Sequence, residues 1–151
     1  MKSVKGDLIK LAIEGEFDVI VHGCNCFCAM GGGIARTIKD MLPQTYYSDL
    51  ETKKGDRSKL GSYTFSDIEK NGNKFTVINA YTQYKYSGSE INADYNAIYD
   101  VFVKIKNDFS GMRIGIPLIG AGLAGGDWKA IESLISTAMI DEDITLVEFD
   151  G

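Results

Sequence analysis

The sequence is short of histidine and cysteine, the residues that build most metal sites and disulfides. Among 151 residues there is one histidine and there are three cysteines, all three between positions 24 and 28. An odd number of cysteines at alternate positions does not fit a disulfide framework, and tetrahedral zinc needs four convergent ligands. We therefore expect no metal, and we interpret Cys24, Cys26 and Cys28 as small residues packed at a strand end in a reducing compartment.

The sequence also has fewer basic than acidic residues. The chain has 16 Lys and Arg against 21 Asp and Glu, which gives a net charge of −5 and a pI of about 4.9. A broad surface for nucleic acid or anionic membranes needs clustered cations, so this balance argues against one. A phosphorylated ligand would have to be held by backbone amides and helix ends instead.

Long apolar runs are missing as well. No stretch approaches the roughly 18 apolar residues of a membrane span, and the first ten residues, MKSVKGDLIK, lack the apolar core of a signal peptide. We expect a cytoplasmic protein with no membrane partner. With 44% hydrophobic and 25% charged residues, residues 1–151 have the composition of a single soluble domain with a substantial core.

Glycine is abundant where chemistry would need it. Two glycine-rich loops, VHGCNCFCAMGGGIA at 21–35 and IPLIGAGLAGGDW at 116–128, each lie between an apolar strand and a helix-like segment. Glycine lets several backbone N–H groups converge on one anion, and the following helix adds its positive end. Two such loops after strands predict a cleft for a ligand with two linked phosphates.

The hydrophobic pattern predicts an α/β fold. Apolar, β-branched segments alternate with segments whose apolar residues recur every three or four positions, so we expect a mixed, largely parallel sheet sandwiched between helices in three layers. The predicted strands are 18–23, 62–68, 74–80, 113–120, 144–150 and a short edge strand that breaks at Gly6 and Asp7; the predicted helices are 33–41, 92–107 and 128–140; and 48–61 is predicted as an exposed loop.

Five segments together resemble a known family. VKGDL, CNCFCAMGGGIA, NAYTQYKYSG followed by ADYNAI, GAGLAGGDW and ITLVEFD occur in the order and at the spacings seen in macrodomains, the modules that bind ADP-ribose. The HxxNC pattern before the GGGIA loop is most similar to the branch that includes ADP-ribose-1″-phosphate phosphatases and terminal ADP-ribose protein glycohydrolases. The resemblance spans essentially the whole chain and implies the macrodomain fold.

The resemblance also implies a ligand and its contacts. ADP-ribose or ADP-ribose-1″-phosphate is the expected small molecule, ADP-ribosylated macromolecules are further candidate partners, and no cofactor is implied. Asp7 would bind the adenine amino group, although an aspartate there could instead cap a helix. Phe149 would stack on adenine or belong to the core. The remaining implied ligand-binding residues are Leu8, Gly31, Gly32, Gly33, Ile34, Ala35, Gly120, Ala121, Gly122, Leu123, Ala124 and Gly125.

Three residues are the candidates for catalysis. The resemblance implies that Asn25 holds the distal ribose; the alternative is a loop amide that satisfies backbone groups. His22 matches a phosphatase histidine that would donate a proton to the leaving oxygen, and Asp127 a carboxylate that would position water. A lone histidine at a strand end is more often structural, and Asp127 precedes Trp128 where a helix should begin, so it could be an N-cap.

Departures from the family bear on the reaction. The lysine and aspartate of lysine-dependent glycohydrolases are replaced by Gln83 and Ala124, which cannot form an imine or transfer protons, although Lys85 lies two residues on. A cysteine nucleophile is disfavoured because no second histidine exists. We therefore predict hydrolysis of ADP-ribose-1″-phosphate to ADP-ribose and phosphate. The alternatives are a binding module without catalysis and a glycohydrolase acting on modified protein or nucleic acid.

Overall fold

Strands and helices alternate along most of the chain. The computed structural model describes residues 1–87 and 91–151, so Gly88, the last residue of the NAYTQYKYSG segment, lies outside the described residues. The elements are β1 (Lys2–Gly6), α1 (Leu8–Ile13), β2 (Val19–Cys24), α2 (Gly33–Met41), α3 (Pro43–Leu50), a 3₁₀ turn (Arg57–Lys59), β3 (Tyr63–Lys70), β4 (Asn73–Tyr81), α4 (Tyr95–Phe109), β5 (Ile114–Ile116), α5 (Trp128–Ala138) and β6 (Ile144–Phe149).

The six strands form one sheet in the order β1-β6-β5-β2-β4-β3. Every neighbouring pair is parallel except β3 and β4, which are antiparallel. Strand β2 lies between β5 and β4, and its register places Ile20 beside Gly115 and His22 beside Asn79. This is the mixed, largely parallel sheet that the sequence predicts.

Helices cover both faces of the sheet. Val19 and Val21 of β2 pack with apolar residues of α4 and α5, such as Phe102 and Ile135. Ile20, which points to the other face, packs with residues of α1 and α2, such as Ile38. The predicted three layers are therefore confirmed. Among the described helices, none is long and apolar enough to span a membrane.

Two helices were not predicted from the sequence. Helix α1 is only six residues long and begins after Asp7, whose side chain accepts a hydrogen bond from the Lys10 N–H at 3.1 Å. Helix α3 begins with Pro43, a residue that favours the first helical position because its missing N–H would have no partner there. Its last residues occupy the beginning of the segment predicted as the loop 48–61.

Strand β5 is shorter than predicted. The apolar run 113–120 contributes only Ile114–Ile116 to the sheet, because Pro117 cannot donate a backbone hydrogen bond and the chain then turns, with the Ile119 N–H bonded to the Pro117 carbonyl at 2.8 Å. The rest of the run leaves the sheet and belongs to the second glycine loop. Continuous apolar character therefore marked the buried strand Ile114–Ile116 correctly, but it extended the predicted strand into a loop in which Leu118 is exposed.

A buried polar network lies beneath α3. His22 is 0% exposed, and its Nε2 lies 2.6 Å from Asn79 Oδ1. The Asn79 amide donates to the Thr45 carbonyl at 2.9 Å and approaches Thr64 Oγ1 at 3.1 Å. Because the amide nitrogen is the donor in these contacts, the oxygen must accept from His22, so His22 Nε2 carries its proton.

Burial decides the charge of His22. Loss of hydration lowers the pKa of His22 to about 4, and the hydrogen bond to Asn79 offsets only part of that effect. The nearby Cys24 thiol, 3.5 Å from Nε2, is also neutral, since burial raises its pKa. Burial likewise raises the pKa of Asp49, which accepts a hydrogen bond from Tyr81 at 2.7 Å in the same region. The imidazole is therefore neutral at physiological pH.

We predict that the imidazole stays neutral in the folded protein until the pH falls below 5. Because the unfolded histidine titrates near its ordinary pKa of 6.5, the unfolded state binds the proton first and the protein loses about 2–3 kcal/mol of stability between pH 7.5 and 4.5. NMR titration is unambiguous because the chain has one histidine.

The matching control is His22→Gln, whose free energy of unfolding should lack this part of the pH dependence, while the contribution of Asp49 and the other carboxyl groups persists in both proteins. A ring that titrates near 6.5 in the folded protein would contradict the buried, neutral assignment.

Candidate functional site

A cleft opens at the carboxyl ends of three neighbouring strands. Gly23, Cys24 and Asn25 line it from the end of β2, Gln83 from the chain after β4, and residues 117–120 from the chain after β5. Its volume is about 540 Å³, within the range of small-molecule sites. In parallel sheets, ligands bind at this edge because the loops that leave adjacent strands diverge there.

The first glycine loop places a helix N-terminus at the cleft. Gly32 is the N-cap of α2 and supplies no side chain, and the next residue, Gly33, has a φ of +57°, which glycine adopts without strain. The first bond within the helix runs from the Arg36 N–H to the Gly32 carbonyl. The N–H groups of residues 33–35 precede that bond and line a site suited to an anion.

The second glycine loop is closed at its base. The Gly126 N–H donates to the Gly120 carbonyl at 2.7 Å, and a Cβ on Gly126 would lie 2.6 Å from that oxygen. Gly120 itself has a φ of +73°. A side chain at position 126 is therefore excluded at the base, and Gly120, Gly122, Leu123 and Ala124 of the turn line the cleft.

The two loops meet across the cleft. Leu123 is 84% exposed, yet its Cδ1 lies 3.1 Å from the position that a Cβ on Gly32 would occupy. Any side chain at position 32 would push Leu123 away. The cleft is thus bounded by two glycine-rich segments, with the Leu123 side chain between them.

Most of the predicted diphosphate-binding residues line this cleft. Those that do are Gly31, Gly32, Gly33, Ile34, Ala35, Gly120, Gly122, Leu123 and Ala124. Ala121 and Gly125 belong to the same loop but are not among the lining residues. The Gly125 N–H is bonded to the Gly122 carbonyl at 3.1 Å, so this residue shapes the turn.

Asn25 lines the cleft but also organises its own loop. Its Oδ1 accepts from the N–H groups of Phe27 at 2.9 Å and Ala29 at 3.4 Å, and its Nδ2 donates to the Ala29 carbonyl at 2.7 Å. One amide hydrogen remains for a ligand. The loop-amide role that the sequence left open is therefore present, and a ribose contact through that hydrogen is compatible with it.

The proposed adenine contacts lie on the β1 side of β5, with Phe149 at the end of the adjacent strand β6 and Asp7 just after β1, one strand further away. In the register of β1 and β6, Gly6 is opposite Phe149, so Asp7 and Phe149 lie together at the carboxyl edge of the sheet. Strand spacing puts β6 about 5 Å and β1 about 10 Å from β5. Phe149 is 77% exposed, so it is not a core residue and its ring is open to a partner.

Asp7 and Leu8 have structural roles as well. The Asp7 carboxylate caps α1, as the alternative interpretation anticipated, and its second oxygen has no role in that cap. Leu8 is buried and packs in the core beneath α1. Only the backbone of Leu8 could therefore contact a ligand.

The two residues predicted to act with Asn25 in catalysis lie elsewhere. His22 is fully buried, and Asp127 is an exposed N-cap of α5 whose carboxylate accepts from the Lys129 N–H at 3.1 Å. Neither is among the residues that line the cleft. On β2 the side chain of His22 points to the same face as Ile20, whereas α5 covers the opposite face.

The side of the cleft next to β4, which we call the distal end, contains residues that the sequence analysis noted only in part. Gln83 and Ala124 lie there, and the Gln83 amide donates to the Lys85 carbonyl at 2.7 Å. Tyr86 also lines the cleft, and its signal in the sequence was an aromatic residue just after a strand. The other lining residues without a prior assignment are Gly23, Cys24, Ala29, Pro117, Leu118 and Ile119.

The lining is almost devoid of ionisable groups. Within the described residues it contains no Asp, Glu, His, Lys or Arg, and its only titratable side chains are those of Cys24 and Tyr86. No group of three or more potential metal ligands occurs in the described ranges 1–87 and 91–151. The cleft offers backbone N–H groups, amides and apolar surface, which can bind an anion but supply no strong acid or base.

Comparison with known proteins places these features in a family. A protein from Enterobacteria phage T4, described as an uncharacterized 17.5 kDa protein in the tk-vs intergenic region, is 33% identical over 99% of this chain and 97% of its own length. The macrodomain of Mycobacterium tuberculosis DarG has the same fold, with a TM-score of 0.75 at 19% identity over 99% of this chain and 97% of that one.

A second similar structure contains a ligand. Thermosipho africanus DarTG in complex with ADP-ribose gives a TM-score of 0.74 at 14% identity, over 97% of this chain and 40% of that one. The profile of the Macro domain family matches residues 21–135, a segment that contains most of β2, both glycine loops and most of α5. The chain belongs to the Macro domain family.

Proposed function

We propose that this protein binds ADP-ribose in the cleft between the two glycine loops. The observation that carries the proposal is the convergence of two glycine-rich segments on one cleft, since five glycines within residues 31–35 and 120–124 line it and let a ligand approach the backbone and the N-terminus of α2. A diphosphate is the group that such a site complements. The ADP-ribose in the Thermosipho africanus complex supports this choice of ligand.

The orientation follows from the two ends of the site. Adenine would lie at the edge formed by Asp7 and the exposed ring of Phe149, and the distal ribose would lie near Asn25 and Gln83 at the other end. The diphosphate then spans the ends of β5 and β2, where the N-terminus of α2 opens. The ligand would thus run across the strands in the order adenine, diphosphate, ribose.

Hydrolysis is the second candidate, and the geometry favours it less. A phosphatase acting on ADP-ribose-1″-phosphate needs a group that positions water or protonates the leaving oxygen, and the described lining offers no carboxylate or imidazole. His22, with a pKa of about 4, is neutral and enclosed. We therefore place binding first, and we retain turnover as an activity to be measured.

Bulk at Gly122 should block the ligand without harming the fold. A Cβ there meets no atom within 4 Å, and its φ lies outside the left-handed region. We expect the series Gly122→Ala, Gly122→Val and Gly122→Phe to lose ADP-ribose affinity progressively, with the largest residue weakening binding by about tenfold or more, or about 1.4 kcal/mol. Calorimetry measures the affinity, and thermal unfolding checks the fold. Unchanged affinity in a folded Gly122→Phe protein would place the diphosphate elsewhere.

Asp7→Ser should separate adenine recognition from helix capping. Serine also caps helices, so α1 should persist, but its short side chain cannot reach the base. Loss of a hydrogen bond to a charged group corresponds to about ten- to a hundredfold weaker ADP-ribose binding. Ribose-5-phosphate lacks the base, so its affinity should not change. If both ligands weaken equally, Asp7 acts through the fold alone.

Phosphate release from ADP-ribose-1″-phosphate tests whether the Asp127 carboxylate is catalytic. If binding is the only activity, the protein releases no phosphate from ADP-ribose-1″-phosphate above the buffer rate. If phosphate is released, Asp127→Asn should not alter the rate, because asparagine also caps α5 and the carboxylate lies outside the cleft lining. A loss of about 10²-fold or more in the Asn variant, with ADP-ribose affinity retained, would restore Asp127 as a catalytic residue.

A further inference from the structure

An aromatic strip continues from the distal end of the cleft. We define it as Tyr86, Phe27 and Tyr84. Tyr86 lines the cleft and is 58% exposed. Phe27 contacts both tyrosines edge to face, with ring centroids 6.4 Å from Tyr86 and 4.8 Å from Tyr84. The rings therefore form a continuous surface that leads away from the ribose end of the site.

The strip ends against a cationic loop, residues 52–59. The Tyr84 hydroxyl donates to the Gly55 carbonyl at 3.0 Å, and the Arg57 guanidinium lies 3.9 Å from the centre of the Tyr84 ring. The buried Lys59 ammonium donates to the Cys26 carbonyl at 3.0 Å, which ties this loop to the loop after β2. The loop is thus held in place beside the strip.

The charge of this loop differs from that of the whole protein. Lys53, Lys54 and Arg57 are exposed, whereas the loop has one acidic residue, Asp56, whose carboxylate accepts from Ser58. The chain as a whole has more acidic than basic residues. A local excess of cations beside an aromatic strip with one exposed ring, Tyr86, complements a ligand that has planar bases and phosphates.

From this juxtaposition we propose a nucleotide subsite beyond the distal ribose, which rests on the proposed function. A base linked through the ribose would stack on the open face of Tyr86, and its phosphate would lie towards Lys53, Lys54 and Arg57. The ligand is therefore ADP-ribose that bears a nucleotide on its distal ribose. That chemistry has two sources, an ADP-ribosylated nucleic acid and a second ADP-ribose unit. A peptide backbone offers neither a stacking base nor a phosphate.

The test compares four probes by calorimetry: ADP-ribose, an ADP-ribose dimer, a short ADP-ribosylated DNA oligonucleotide and an ADP-ribosylated peptide. We expect one or both nucleotide-bearing probes to bind about ten- to a hundredfold more tightly than ADP-ribose, the range typical of base stacking. Which of the two gains more identifies the source. The peptide should bind no more tightly than ADP-ribose.

Amino-acid substitutions test which residues provide the gain in affinity for the nucleotide-bearing probes. We define the gain as the dissociation constant of ADP-ribose divided by that of the nucleotide-bearing probe. Tyr86→Ala should reduce this ratio to about one. Tyr47 on α3 is comparably exposed, and Tyr47→Ala should leave the ratio unchanged. The double variant Lys53→Gln/Lys54→Gln should keep ADP-ribose affinity. It should lower the salt dependence of nucleotide-probe binding by about 0.7 in log–log slope for each phosphate that the lysines no longer neutralise.

The outcomes separate the two levels of the proposal. ADP-ribose binding with no gain for either nucleotide probe, or with an equal gain for the peptide, overturns the subsite and leaves the proposed function standing. A gain that survives Tyr86→Ala overturns the stacking assignment. Failure of ADP-ribose itself to bind overturns the proposed function and the subsite with it.

Discussion

The site depends on the position of β2 in the sheet. This strand pairs with β5 on one side and β4 on the other, and every residue from Val19 to His22 is buried. With both faces and both edges covered, its direction and register are fixed by core packing. The chain that leaves its carboxyl end must therefore emerge between the loops after β5 and β4. The cleft lies between the three chain segments that follow β2, β4 and β5.

The same burial explains why His22 is unavailable to a ligand. On a strand covered on both faces, a polar side chain must find a partner inside the protein, and His22 finds one in Asn79. From the sequence, His22 was expected at the end of a strand, and therefore next to the loops that were predicted to bind the ligand. It could not reveal that α3 covers this face, because α3 was itself not predicted. A lone histidine next to a glycine loop is thus weak evidence for catalysis.

Features that depend on local backbone chemistry were predictable. The strands β2 and β4, the helices that begin at Gly33 and Trp128, and both glycine loops follow from hydrophobic periodicity and from glycine. Features that depend on distant partners were not. The length of β5 is set by Pro117 and the turn after it, the exposure of Phe149 by its place beyond the last core residue of β6, and the aromatic strip by contacts between chain segments far apart in sequence.

The net negative charge of the chain would oppose the binding of a polyanion, and the composition of the cleft offers a local solution. The described lining has no side-chain cation, so attraction must come from the short-range backbone dipoles of α2 and the glycine turns. The groups at the distal end of the cleft are amides and an aromatic ring, which could orient a sugar but cannot readily exchange protons near neutral pH. On this proposal, selectivity would arise beyond the ribose, where residues 52–59 carry the exposed cations Lys53, Lys54 and Arg57. In the proposed complex the two regions would therefore have different tasks: the backbone of the cleft would hold the diphosphate, and the distal surface would distinguish what the ribose carries.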